Sequence, residues 1–89
     1  MFINISDERK GKMEDLFHVL IQFNDNIDYK NETALLTDGI IDSVSLVELV
    51  TELEKSFFID IPLEEIIPEN FNSIENIWGM IERLQNIQK

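Results

Sequence analysis

No cysteine occurs in the 89 residues of this chain. That excludes a disulfide framework, a thiolate metal site and a cysteine nucleophile of the protein's own. One histidine is present, His18, between Phe17 and Val19 in a stretch of helical periodicity. A triad of Ser43, His18 and an aspartate can be written, but a lone mid-helix histidine is far more often a surface or boundary residue. The three glycines are too scattered for a phosphate-cradling loop. Asp25, Asp28, Asn31 and Glu32 lack the spacing of a calcium loop, and no H-x-x-x-H pair exists for zinc. Neither catalytic nor metal-binding residues are expected, and the chain reads as no enzyme. No apolar run approaches the roughly 20 residues of a membrane span. The N-terminus, MFINISDERKGK, lacks the basic region, apolar core and cleavage site of a secretory signal. These absences favour a cytoplasmic protein that does not insert into membranes.

Positive charge is also scarce. Seven Lys/Arg stand against 18 Asp/Glu, a net charge of −11. Nucleic acid and anionic membranes are poor partners for such a surface. Residues 1–30 carry a net −2 and residues 31–89 a net −9, which points to a basic partner docking on the second half. The length suits one domain, 1–89, burying roughly 60–70% of its unfolded surface. The start at Met1 and the lack of long linkers favour a free-standing protein over an excised domain, and a monomer is expected.

What is present is helical. Met13, Leu16, Phe17, Leu20 and Ile21 fall on one face of a first helix, with Ser6 or Asp7 as N-cap. The turn-rich stretch 24-NDNIDYKNETALLTDG-39 is long for a loop, and its Ile27, Tyr29, Leu35 and Leu36 suggest packing over the core. A second helix spans Ser43 to Phe57, burying Leu46, Leu49, Val50, Leu53 and Phe57, with Val44 and Val47 near the boundary. A helical turn around Leu63–Ile67 ends at Pro68. In the last helix Asn72 is the expected cap, Glu75 takes the reciprocal capping-box position, and Ile74, Ile77, Trp78, Ile81 and Leu84 form the apolar face. The expected class is all-α, three main helices plus one short one.

Ser43 either caps the second helix or is presented there for chemistry. The run 38-DGIIDSVSLVELVTELEKSFFIDIP-62, continued by 70-NFNSIENI-77, closely resembles the acyl carrier protein family, whose D-S-[LMV] serine receives 4′-phosphopantetheine. The resemblance covers about residues 35–85. It implies an acyl-carrier-protein-like four-helix bundle in which Ser43, not Ser45, bears the arm. It further implies that acyl groups ride on that arm as thioesters between partner enzymes. Asp42 would then help a phosphopantetheinyl transferase engage the site, and Val44 would contact the arm or a partner. Gly39 permits a tight turn into the helix, which Ile40 and Ile41 anchor on the core.

The resemblance also implies an acyl- or aminoacyl-activating enzyme and an acyltransferase or condensing enzyme as partners. Asp38, Asp42, Glu48, Glu52 and Glu54 are the candidate docking residues. The G-I-I-D-S lead-in is more similar to D-alanyl and other aminoacyl or specialised carriers than to the G-A-D-S or G-L-D-S forms of fatty-acid synthesis. A core crowded by Phe17, Phe57, Phe71, Trp78, Ile61 and Ile81 points the same way, to a short or polar cargo held outside the bundle. Two alternatives stay open beside the generic acyl carrier. One is an aminoacyl, D-alanyl or peptidyl carrier; the other is an acidic helical adaptor that is never modified.

Overall fold

The structure, a computed structural model, describes residues 12–88. Its helices are α1 (Met13–Phe23), α2 (Ser43–Phe57), α3 (Pro68–Phe71) and α4 (Ile74–Ile87), with a 3₁₀ turn at Leu63–Glu65 before α3. No strand occurs among the described residues. The fold class is thus the expected one: three main helices and one short one. None of the described helices is long and apolar enough to cross a membrane.

The three long helices meet along their apolar stripes. Leu16 and Leu20 of α1, Leu49 and Leu53 of α2, and Ile77 and Ile81 of α4 are all fully buried. Phe57 packs edge-to-face on Trp78, ring centroids 5.8 Å apart, which joins α2 to α4. The first loop packs over this core, as its apolar residues suggest. Tyr29, Leu35 and Ile41 are each at most 2% exposed. The Tyr29 hydroxyl lies 2.9 Å from the Leu20 carbonyl and 2.7 Å from that of Asn24, sharing its one proton between the end of α1 and the loop.

Several local expectations are corrected. Within the described residues α1 begins at Met13, because Lys12 is extended and donates its backbone N–H to the Asp15 carboxylate at 2.8 Å. Ser6 and Asp7, the expected caps, lie outside the described residues. Met13 is 36% exposed, off the buried stripe. Pro68 does more than end the preceding turn: it opens α3 at the first helical position, where its missing N–H has no helical partner to lose. Ser73, not Asn72, caps α4 by accepting the Asn76 N–H at 3.1 Å. That shift of one residue moves Glu75 out of the capping-box position and leaves Asn72 free for another role.

Candidate functional site

Gly39 is where the lead-in to α2 turns. Its φ is +73°, a left-handed conformation that favours glycine, and a side chain there would have space but a strained backbone. The turn closes through Gly39 N–H to Leu36 O at 3.1 Å and Ile41 N–H to Leu35 O at 2.9 Å. Buried Leu35 and Ile41 pin its two ends to the core, while Ile40 is half-buried. The anchoring expected of the two isoleucines therefore falls mainly on Ile41, with Leu35 as its partner.

The helix start resolves what Ser43 is for locally. Asp42 is the cap: it is extended, and its carboxylate accepts the Ser45 N–H at 2.8 Å. That hydrogen bond, then one from the Ser45 hydroxyl, holds the Asp42 carboxyl below its ordinary value. Ser43 is the first helical residue, and capping makes no demand on its side chain. It is exposed, and its hydroxyl has no hydrogen-bond partner among the described residues. A helix cap by sequence is thus an uncommitted hydroxyl in the structure. A phosphodiester on this hydroxyl would find compatible surroundings. The N-terminus of a 15-residue helix presents amide N–H groups and the positive end of its dipole, although Asp42 and Asp38 oppose an anion.

Around Ser43 the surface is apolar and acidic together. Val44 is 72% and Val47 67% exposed, well beyond the boundary position expected of them. Asp38, Glu48 and Glu52 are also exposed. Glu48 and Glu52 flank an open groove of about 600 Å³ between α1 and α2, lined also by Val19, Phe23, Val47 and Thr51. Of the α1 residues in this groove, Phe23 was legible from its spacing, i+7 from Leu16 and i+3 from Leu20, whereas Val19 lies off that face and was not. Glu54 differs from the other candidates. It is half-buried, and its carboxylate accepts the Ile61 N–H at 2.8 Å, so it fastens the loop after α2.

A second structural tie was missed altogether. The Asn72 side chain, freed from capping, reaches across to the lead-in and bonds Leu36 and Thr37. The one available signal was that Asn72 and Ser73 are adjacent cap candidates and a helix uses only one.

The element order, the long packed first loop and the serine opening α2 make the small all-helical bundle that the resemblance implies. No family model matches the chain. It is similar to the D-alanyl carrier protein of Streptococcus uberis, 37% identical over 75 residues, which is 84% of this chain and 92% of that one. It is also similar to the D-alanyl carrier protein of Streptococcus pyogenes, 31% identical over 64 residues, 72% of this chain and 81% of that one. The chain belongs to the acyl carrier protein family, and the relatives that place it there are D-alanyl carrier proteins.

Proposed function

We propose that this carrier bears 4′-phosphopantetheine on Ser43 and conveys an aminoacyl group, D-alanyl in the first instance, between cytoplasmic enzymes. The observation that carries the attachment is the exposed Ser43 hydroxyl, released from capping by Asp42. In attachment, the Ser43 oxygen forms a new bond to the phosphorus of coenzyme A that bears the pantetheine. The bond to the adenosine bisphosphate breaks, and the serine proton passes to the transferase. The arm supplies a thiol, absent from this cysteine-free chain, on which the cargo rides as a thioester. Everything else falls to the chain's own residues. Asp42 fixes the first turn of α2, Gly39 and Ile41 aim it, and the bundle keeps Ser43 exposed.

The relatives support the aminoacyl reading over the generic acyl carrier and give no support to a role in lipid biosynthesis. The core supports it as well. Phe71 and Ile81 are fully buried, Phe57 and Ile61 nearly so, and Trp78 is held against Phe57, so a long chain entering here would displace close-packed contacts. Phe17 is half-buried at the edge of this cluster. Docking on an activating or accepting enzyme would use Asp38, Asp42, Val44, Glu48 and Glu52. Tethering then raises the local cargo concentration to the order of millimolar. Single exposed ion pairs are worth only about 0–1 kcal/mol, which suits brief encounters with several enzymes.

The test is intact mass after incubation with coenzyme A and a phosphopantetheinyl transferase, followed by loading with ATP and an amino-acid-activating enzyme. One added arm and then one alanyl group are expected. A chain that gains no arm is an adaptor of another kind. A holo chain that accepts octanoyl but not D-alanyl groups would return the cargo to the fatty-acid class.

A further inference from the structure

We propose that Asn72, 29 positions after Ser43 in the chain, is a positioning residue for the modification of Ser43; this rests on the carrier reading above. Asn72 stands at the junction of α3 and α4, its backbone N–H closing α3 on the Pro68 carbonyl at 3.0 Å. Its side-chain oxygen accepts the N–H groups of Leu36, at 3.0 Å, and Thr37, at 2.9 Å. Its amide nitrogen donates to the Thr37 hydroxyl at 2.9 Å, and its own carbonyl accepts the Leu35 N–H at 2.9 Å. One residue thus holds three consecutive residues of the lead-in by four hydrogen bonds.

Those three residues are the first half of the turn that delivers Ser43. Leu35, held by Asn72 at its N–H, accepts the Ile41 N–H at its carbonyl. Leu36, held likewise, accepts the Gly39 N–H. Ile41 adjoins Asp42, whose carboxylate fixes the first turn of α2. A set of hydrogen bonds therefore runs from the α3–α4 junction to Ile41, two residues before Ser43. A lead-in without regular secondary structure depends on such ties for its order. Leu35 and Ile41 remain buried whatever occupies position 72, so losing the tie frees the exposed crest at Thr37–Gly39 without unpacking the core. A transferase that must engage Asp42, Ser43 and Val44 in one geometry would then have to order that crest on binding.

The expected result for Asn72→Ala is a transferase KM for the carrier raised about tenfold with kcat within about twofold, the pattern of lost preorganisation. Far-ultraviolet circular dichroism should not change. Amide exchange at Gly39 should quicken, whereas Ile41, tied through Leu35 to the backbone carbonyl of residue 72, should keep its protection. Asn72→Asp keeps an oxygen for both N–H groups, and its second oxygen can accept from the Thr37 hydroxyl. It should restore KM to within about threefold of native. Arg83→Met, which removes the Arg83–Glu65 ion pair at 2.8 Å elsewhere in the bundle, controls for general loosening and should leave KM unchanged. A native KM in Asn72→Ala would overturn the inference, as would an aspartate variant no better than the alanine one. A native chain that gains no arm would sink the carrier reading itself, whereas a native KM in Asn72→Ala leaves it standing.

Discussion

The two ends of α2, separated by about 22 Å for 15 residues at 1.5 Å each, are built on opposite principles. At its start every local choice agrees with the geometry. A glycine occupies the left-handed turn, an aspartate caps, and side chains from the loop and from Asn72 hold the approach. At its end the left-handed position belongs to Phe58, with φ 57°, where glycine is usual and a side chain costs about 1–2 kcal/mol. The Phe58 ring is 77% exposed, so burial does not compensate. Order at that end comes from the neighbours instead: Ile59 and Ile61 are buried, and Gln88 exchanges two hydrogen bonds with the Asp60 backbone. The contrast teaches that precision has been concentrated at the Ser43 end, and the far end is merely closed.

The sharpest break between the ends is chemical. Ser43→Ala should abolish arm attachment outright, read by intact mass, and should change stability by less than about 0.5 kcal/mol, since Asp42 does the capping. Ser45→Ala should still be modified; the reverse outcome would overturn the assignment. Next in size is the surface between the two ends. Reversing charge at Glu48 and Glu52 together should slow attachment about tenfold, and added salt should reproduce part of that by screening. Rates indifferent to both would make these residues solubilising only.

Subtler is the response of the first turn to acid. Asp42's carboxyl titrates below its unfolded value because Ser45 donates to it. Its contribution is therefore complete above the unfolded value and is lost as pH falls through the lowered folded one. Amide exchange at Ser45 should lose protection only at that acid end, with Phe57 and Phe58 unaffected. Asp42→Asn, which keeps an accepting oxygen, should remove the acid dependence while the cap persists. The smallest effect is expected at the other end. Phe58→Gly relieves the left-handed strain but gains unfolded-state freedom, for a net stabilisation of about 0.5 kcal/mol with attachment unchanged. A loss of stability on thermal melting would mean the exposed ring makes a contact that the strain sustains.

Much of this was readable from residue order, and the misses share a cause. Both bounds of α2 follow from the D-S-V start and the apolar repeat, and the burial of Tyr29 and Leu35 from their place in an otherwise polar loop. Signals that admit two local solutions were not readable. Asn72 and Ser73 can each cap, and only the tertiary position of Thr37 decides that Asn72 turns away. Proline both ends one helical turn and begins the next, so Pro68 marks a boundary without saying on which side helix lies. Glu54 belongs by periodicity with the acidic exposed residues, yet the unpaired N–H of Ile61 brings it inward. The helix-start serine was legible in position but not in state. Nothing local says whether Asp42 or Ser43 does the capping, and that distinction leaves the hydroxyl available.

The chain's single tyrosine gives this architecture an optical signal. Tyr29 is 1% exposed, and burial, aided by the nearby Asp25 charge, pushes its phenol from 10.0 up to about 12. A phenol raised in this way favours the folded chain below its unfolded value, and that advantage is lost as pH climbs through the interval between the two. In that interval a phenolate absorbance rise would come first from molecules whose first loop has lifted off the end of α1. Ultraviolet titration therefore counts open loops directly, without a label, on the same segment that leads to Ser43.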